Sequence, residues 1–166
     1  MRGRPSSSSR SIIRAFLEAG ATLFTQEQDG LAEESYKPKK LFTLEEANKT
    51  LPLVSRIIGD IVRVSSEMQV LHAEAERLAE EGRSVRAEEV RGRFEDLADQ
   101  VTELAEELNA IGCVCKDPRV GLVDYPALMH DRVVFLCWKR GETEIEFWHE
   151  LQGGFAGRKK VKGALG

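Results

Sequence analysis

The residues able to do chemistry crowd into one stretch. All three cysteines (Cys113, Cys115 and Cys137) and two of the three histidines (His130 and His149) lie between positions 113 and 149 of a 166-residue chain. Thiolate and imidazole are soft or borderline ligands suited to zinc, so Cys113, Cys115, Cys137 and His149, with His130 beside them, could hold a metal if their strands were neighbours. The spacing argues against it. Cys113-Val114-Cys115 lacks one residue of the Cys-x₂-Cys knuckle, and buried free cysteine is ordinary. The expectation is therefore no cofactor, with zinc the one metal these residues could take.

A second set is acid–base. Asp124, His149 and Glu150 could supply base and acid, with Arg158 as an anion clamp. His149-Glu150 is not His-Glu-x-x-His, and the simpler role for His149 is a buried hydrogen bond at the edge of an apolar face. A third set is aromatic and cationic. Trp148 and Phe155, with Arg158, Lys159 and Lys160, are candidates for an interaction surface. Glycines precede these cations, but no Gly-x-x-x-x-Gly-Lys-Ser/Thr pattern is present, so a nucleotide loop is unsupported.

These side chains need elements to hold them. Thr43-Leu44-Glu45-Glu46 has the form of a capping box, with Phe42 before it as a hydrophobic staple. Pro52 predicts a break or kink near Thr50–Leu51, between a short helix from Leu44 and a long one onward. Beyond it Val54, Ile57, Ile58, Ile61, Val64, Met68, Leu71, Ala75 and Leu78 form one apolar stripe at steps of three and four. Gly82 interrupts, and Ser84 can cap a second helix. Its stripe runs through Ala87, Val90, Phe94, Leu97, Val101, Leu104, Leu108 and Ile111, close to a heptad repeat, and Gly112 closes it. A short connection makes the two helices antiparallel neighbours.

Shorter β-prone runs follow. Cys113–Lys116 and Leu122–Tyr125, the latter closed by Pro126, flank a turn at 117–121. Arg132–Lys139 and Glu144–Leu151 flank Arg140-Gly141-Glu142-Thr143 and predict a hairpin pairing Lys139 with Glu144. That register puts Val134, Leu136 and Trp138 on the core face with Ile145, Phe147 and His149. Cys137 and Trp148 go to the opposite face. The expected fold class is α+β, a long antiparallel helical hairpin packed on a small antiparallel β-sheet of three to four strands. Residues 41–161 form the domain, with the helical hairpin at 41–111 and the sheet at 112–152. Residues 1–40 read as a tail and linker, and residues 153–166 as a Gly-rich, basic C-terminal tail.

Composition narrows the function classes. Hydrophobic residues make up 42% of the chain, normal for a globular protein. No apolar run approaches the roughly 20 residues that cross a bilayer, and three cysteines do not make a disulfide scaffold. The net charge of −4 is uneven: residues 41–111 carry 8 basic and 16 acidic side chains, whereas the flanks are each +2. Phosphate would repel that middle, so nucleic acid is an unlikely ligand except weakly through the basic C-terminal tail. The first residues, rich in Arg and Ser and free of acid before Glu18, read as a disordered tail, as extra residues from a mis-called start, or as an organelle transit peptide.

Several blocks in order carry a resemblance: Phe42-Thr43-Leu44-Glu45-Glu46-Ala47-Asn48 with Leu51-Pro52, then Lys116-Asp117-Pro118, Gly121-Leu122-Val123-Asp124-Tyr125-Pro126-Ala127, Leu136-Cys137-Trp138-Lys139, and Phe147-Trp148-His149-Glu150 with Gly154-Phe155-Ala156-Gly157-Arg158. Together they resemble the bacterial Domain of Unknown Function 2203 family, over about residues 41–161. The resemblance implies a small cytoplasmic prokaryotic protein and brings no activity. With no complete catalytic set, the leading expectation is a cytoplasmic, non-enzymatic interaction or oligomerisation module. It would pair as a homodimer, or with a protein partner, through the apolar stripe of its hairpin. The rival is a small metal- or acid/base-dependent enzyme built on Asp124, His149, Glu150 and Arg158.

Overall fold

The computed structural model describes residues 36–162. The stretch read as a tail or transit peptide lies, up to residue 35, outside the described residues.

Two helices come first. Helix α1 spans Leu44–Glu80, 37 residues, and α2 spans Ser84–Ile111, 28 residues, about 55 and 42 Å at 1.5 Å per residue. The capping box forms as its residue types require. Thr43 Oγ1 accepts from the Glu46 amide at 3.1 Å, and Glu46 Oε2 accepts from the Thr43 amide at 2.9 Å. Pro52, expected to break or kink the helix, lies inside α1 without ending it. A proline there forfeits one backbone bond at a cost of about 3 kcal/mol. Leu51 and Val54 on either side of it are buried, and their packing carries the helix through. Ser84 is not a cap. It is already helical, and Arg83 precedes it with no side-chain cap bond, because the chain reverses sharply through Gly82 at φ 72°. Gly112 does close α2 in the left-handed conformation, φ 109°.

The stripes interlock. Every expected stripe position of α1 is buried. In α2 the seam departs from the expected one: Leu97, Leu104 and Ile111 are half-buried, while Ala98 and Ala105 are buried. Small side chains at a contact let two helix axes approach closely. The buried residues form two cores. One joins the proximal part of the helices to the sheet through Ile58, Ile61, Leu108, Tyr125, Leu136 and Trp138. The other runs from Val64 to Leu78 and from Ala87 to Val101, and no sheet residue enters it. The apolar stripe expected to meet a partner is thus buried within a single chain.

The sheet has five strands rather than three or four: β1 (Val114–Asp117), β2 (Leu122–Met129), β3 (Arg132–Lys139), β4 (Phe147–His149) and β5 (Lys159–Lys160). They follow one another in chain order, each antiparallel to the last. The fifth comes from the segment read as a C-terminal tail, where Lys159 pairs with Trp148 and Lys160 with Phe147.

Strand β2 continues through Pro126 to Met129 instead of stopping there. Strand β1 reaches only as far as Asp124, so beyond that point β2 is an edge, where proline is tolerated. The carbonyl of Pro126 accepts instead from the Phe42 amide at 2.7 Å. The tightest hairpin is β2–β3. Met129 pairs with Arg132 around His130 and Asp131, both at positive φ (49° and 63°), the signature of a type I′ turn.

The expected β3–β4 register is off by one residue. Phe135 pairs with His149, Leu136 with Trp148 and Cys137 with Phe147. The connection is wider than four residues because its polar groups are bound elsewhere. Trp138 Nε1 donates to the Glu142 carbonyl at 2.9 Å, Glu142 Oε2 accepts from the Lys139 amide at 2.8 Å, and the Ile145 amide donates to Asn48 Oδ1 on α1 at 2.8 Å. A one-residue slip moves every side chain of β4 to the other face.

Candidate functional site

That slip assembles the site. Trp148, expected opposite the core face, turns toward the helices beside Leu136 and is buried in the proximal core. His149, expected on the core face, turns to the outer face, where it meets Cys137 and Asp124. The three side chains come from neighbouring strands: Asp124 on β2 is opposite Cys137 on β3, and His149 on β4 is two pairs further along, on the same face. All three are buried, and their ligand-type atoms lie within 4.8 Å of one another.

The hydrogen bonds set the protonation. His149 Nε2 lies 3.0 Å from both carboxylate oxygens of Asp124, and Nδ1 lies 2.7 Å from the Glu150 carbonyl oxygen. A carbonyl can only accept, so Nδ1 carries a hydrogen. Burial alone would make the imidazole less basic, but the hydrogen bond and charge of Asp124 outweigh it and the His149 pKa is raised. Burial, with the Asp124 charge beside it, pushes the Cys137 thiol well above its ordinary range, so it is present as the thiol.

The other candidates are engaged elsewhere. Glu150 turns away to Arg132 at 2.6 Å. Arg158 donates to Glu142 Oε2 at 2.7 Å and to the Cys137 carbonyl at 3.1 Å. Its guanidinium lies 4.1 Å from the Phe147 ring centre and 5.0 Å from that of Phe155. It therefore braces the edge of the site rather than standing free to clamp an anion. Burial would raise the Glu142 carboxyl, but the Arg158 hydrogen bond prevails and holds it below its ordinary value.

Cys113 and Cys115 belong to the helix-facing core, away from Cys137. Burial raises the Cys113 thiol to about 12, and all three cysteines are free. His130 is exposed in the β2–β3 turn. The four-ligand set of Cys113, Cys115, Cys137 and His149 is therefore not brought together. Asp124 replaces the two distant cysteines.

The aromatic and cationic set lies beside β4. Phe155 is half exposed, Lys159 Nζ stands 4.9 Å from the Trp148 ring, and Lys160 Nζ stands 5.4 Å from that of Phe147. An open groove of about 420 Å³ lies where α1 meets the β3–β4 connection, lined by Asn48, Pro52, Ser55, Trp138, Glu142 and Thr143 among others. Sequence reasoning missed this groove and the Asp124–Cys137 pairing. The pairing could have been found from the positive-φ-tolerant His130-Asp131 dipeptide, which fixes the β2–β3 register.

No helix among the described residues is long and apolar enough to cross a membrane. No curated protein and no solved structure matches the chain. One family profile does, that of the uncharacterized conserved protein DUF2203, over residues 40–161. The match covers every element from the capping box of α1 to β5, and the chain belongs to the DUF2203 family.

Proposed function

We propose that the protein is a non-enzymatic interaction module of the cytoplasm, docking through the helical arm formed by the distal halves of α1 and α2. The observation that carries this reading is the second core, built from helix residues alone. A pair of helices that closes its own core past the sheet adds little to the sheet's stability and presents a long surface. That surface is acidic. Residues 64–101 carry 10 acidic and 5 basic side chains, and Glu76 and Glu80 are exposed on it. The apolar stripe is occupied within the chain, so the partner is met by charge. A basic protein surface fits better than a second, like-charged copy. Three free thiols suit a reducing compartment.

A photo-crosslinking residue placed at Glu80, with one at Lys37 as the control, tests this in cells. A discrete adduct from the Glu80 position alone is expected. An adduct of twice the chain mass would mean homodimerisation instead. Equal labelling from both positions, or none from Glu80, would overturn docking through the arm.

The buried cluster of Asp124, Cys137 and His149 favours a second reading, a small metal- or acid/base-dependent enzyme. In it His149 and Asp124 exchange the proton they share, while Arg158 and Glu150 frame the site.

A further inference from the structure

We propose that Asp124, Cys137 and His149 form a binding site for one divalent transition metal of the zinc type. The inference goes beyond the docking reading and is independent of it, because a structural ion would satisfy it as well as a catalytic one.

Geometry comes first. Zinc bonds of about 2.0–2.3 Å to oxygen, nitrogen and sulfur in a tetrahedral array put ligand atoms roughly 3.3–3.6 Å apart. The three ligand atoms already fall within 4.8 Å of one another. The 3.0 Å His149–Asp124 contact would need to open by only a few tenths of an ångström. The three side chains stand on adjacent strands of one sheet, so the backbone holds their spacing.

Orientation comes second. The Nδ1–H of His149 is tied to the Glu150 carbonyl at 2.7 Å, which turns Nε2 into the cluster. A backbone carbonyl on the far nitrogen is the usual outer partner of a metal-binding histidine.

Charge comes third. Zinc binds thiolate, carboxylate and neutral imidazole, and the two negative charges of the first two match those of a divalent ion; the Cys137 Sγ proton, and any on His149 Nε2, would leave to solvent as the ion enters.

Chemistry sets the class. One sulfur, one nitrogen and one carboxylate donor disfavour magnesium and calcium, which take oxygen ligands, and suit zinc, cobalt or ferrous iron. Three protein ligands leave a fourth position for water, the pattern of sites that bind and activate rather than only brace.

The test uses the full chain, stripped with chelator and titrated with cobalt(II) and then zinc(II). One equivalent of cobalt should give a sulfur-to-metal charge-transfer absorption that zinc abolishes. Cys137→Ser should remove that absorption and weaken zinc binding beyond the ~10–100-fold typical of a lost outer partner. The Cys113→Ser/Cys115→Ser double variant should keep both. Asp124→Asn, nearly isosteric, guards against a Cys137 variant that fails to fold. It should retain the wild-type circular dichroism while zinc affinity falls at least about tenfold. Absence of the cobalt band in folded wild-type protein would overturn the site. So would a band that survives Cys137→Ser, or one lost in the Cys113/Cys115 variant.

Discussion

Glu142 shows how one side chain ties the rim of the site together. Its carboxylate accepts from Arg158 and from the Lys139 amide, and its side chain is only 24% exposed. Charge-assisted hydrogen bonds of this kind contribute about 1.5–3 kcal/mol, so Glu142→Gln should lower unfolding stability at pH 7 by that order. The pKa of Glu142 is depressed in the folded state, so its contribution is fully present above the unfolded value and lost as pH falls through the folded one. Urea denaturation should therefore show the wild-type and variant curves converging below the ordinary carboxyl value of 4.5. A gap unchanged down to pH 3 would mean that the carboxylate charge is not what stabilises the loop. The identity of Glu142 could not have been anticipated, because its role depends on Arg158 arriving from beyond β4. Asp124 and His149 were legible as polar residues in apolar runs. Their meeting was not, since it depends on a register that a single residue decides.

The helices were readable because periodicity averages over many residues. Nine stripe positions of α1 agree with burial, and one proline does not overturn that weight. The sheet was harder. Arg140-Gly141-Glu142-Thr143 reads as a tight turn, yet the side chains of Glu142 and Asn48 and the indole of Trp138 hold a wider loop. Local turn chemistry cannot foresee a bond from a helix 97 positions away. The turn before β2 is held differently. Gly121 has φ 72°, and a Cβ there would lie 2.7 Å from Ile58 Cγ2 on α1 and 2.8 Å from Arg140 Cβ. Gly121→Ala should therefore cost about 2 kcal/mol, from positive φ and overpacking together, and lower the melting temperature accordingly. A change within ±0.5 kcal/mol would show that this turn can lift off the helix.

At the scale of the molecule, charge and shape separate. The acidic arm and the cation-bearing last strand lie in different parts of the chain, and its net charge of −4 hides both. Composition showed this division, but not that the distal helices close their own core, which is a matter of which faces meet. The meander has a kinetic consequence. Each strand pairs with the one just made, and each helix with its sequence neighbour, so the pairing of elements closes short loops even though the proximal core later joins α1 to the sheet. Such chains fold quickly and in step with synthesis. The long ties, Phe42 to Pro126, Thr50 to Tyr125 and Asn48 to Ile145, can form only once both ends exist. They act as latches on a finished structure. Asn48→Ala, which leaves the Ile145 amide unpaired at a cost of about 1–2 kcal/mol, should leave the refolding rate within about twofold and speed unfolding roughly 5–30-fold. Stopped-flow denaturant jumps would read both arms, and a loss borne by the refolding arm would put the latch in the nucleus. The protein's lifetime under stress then depends on a late join, the core and the few bonds that tie the first helix to a sheet made long after it.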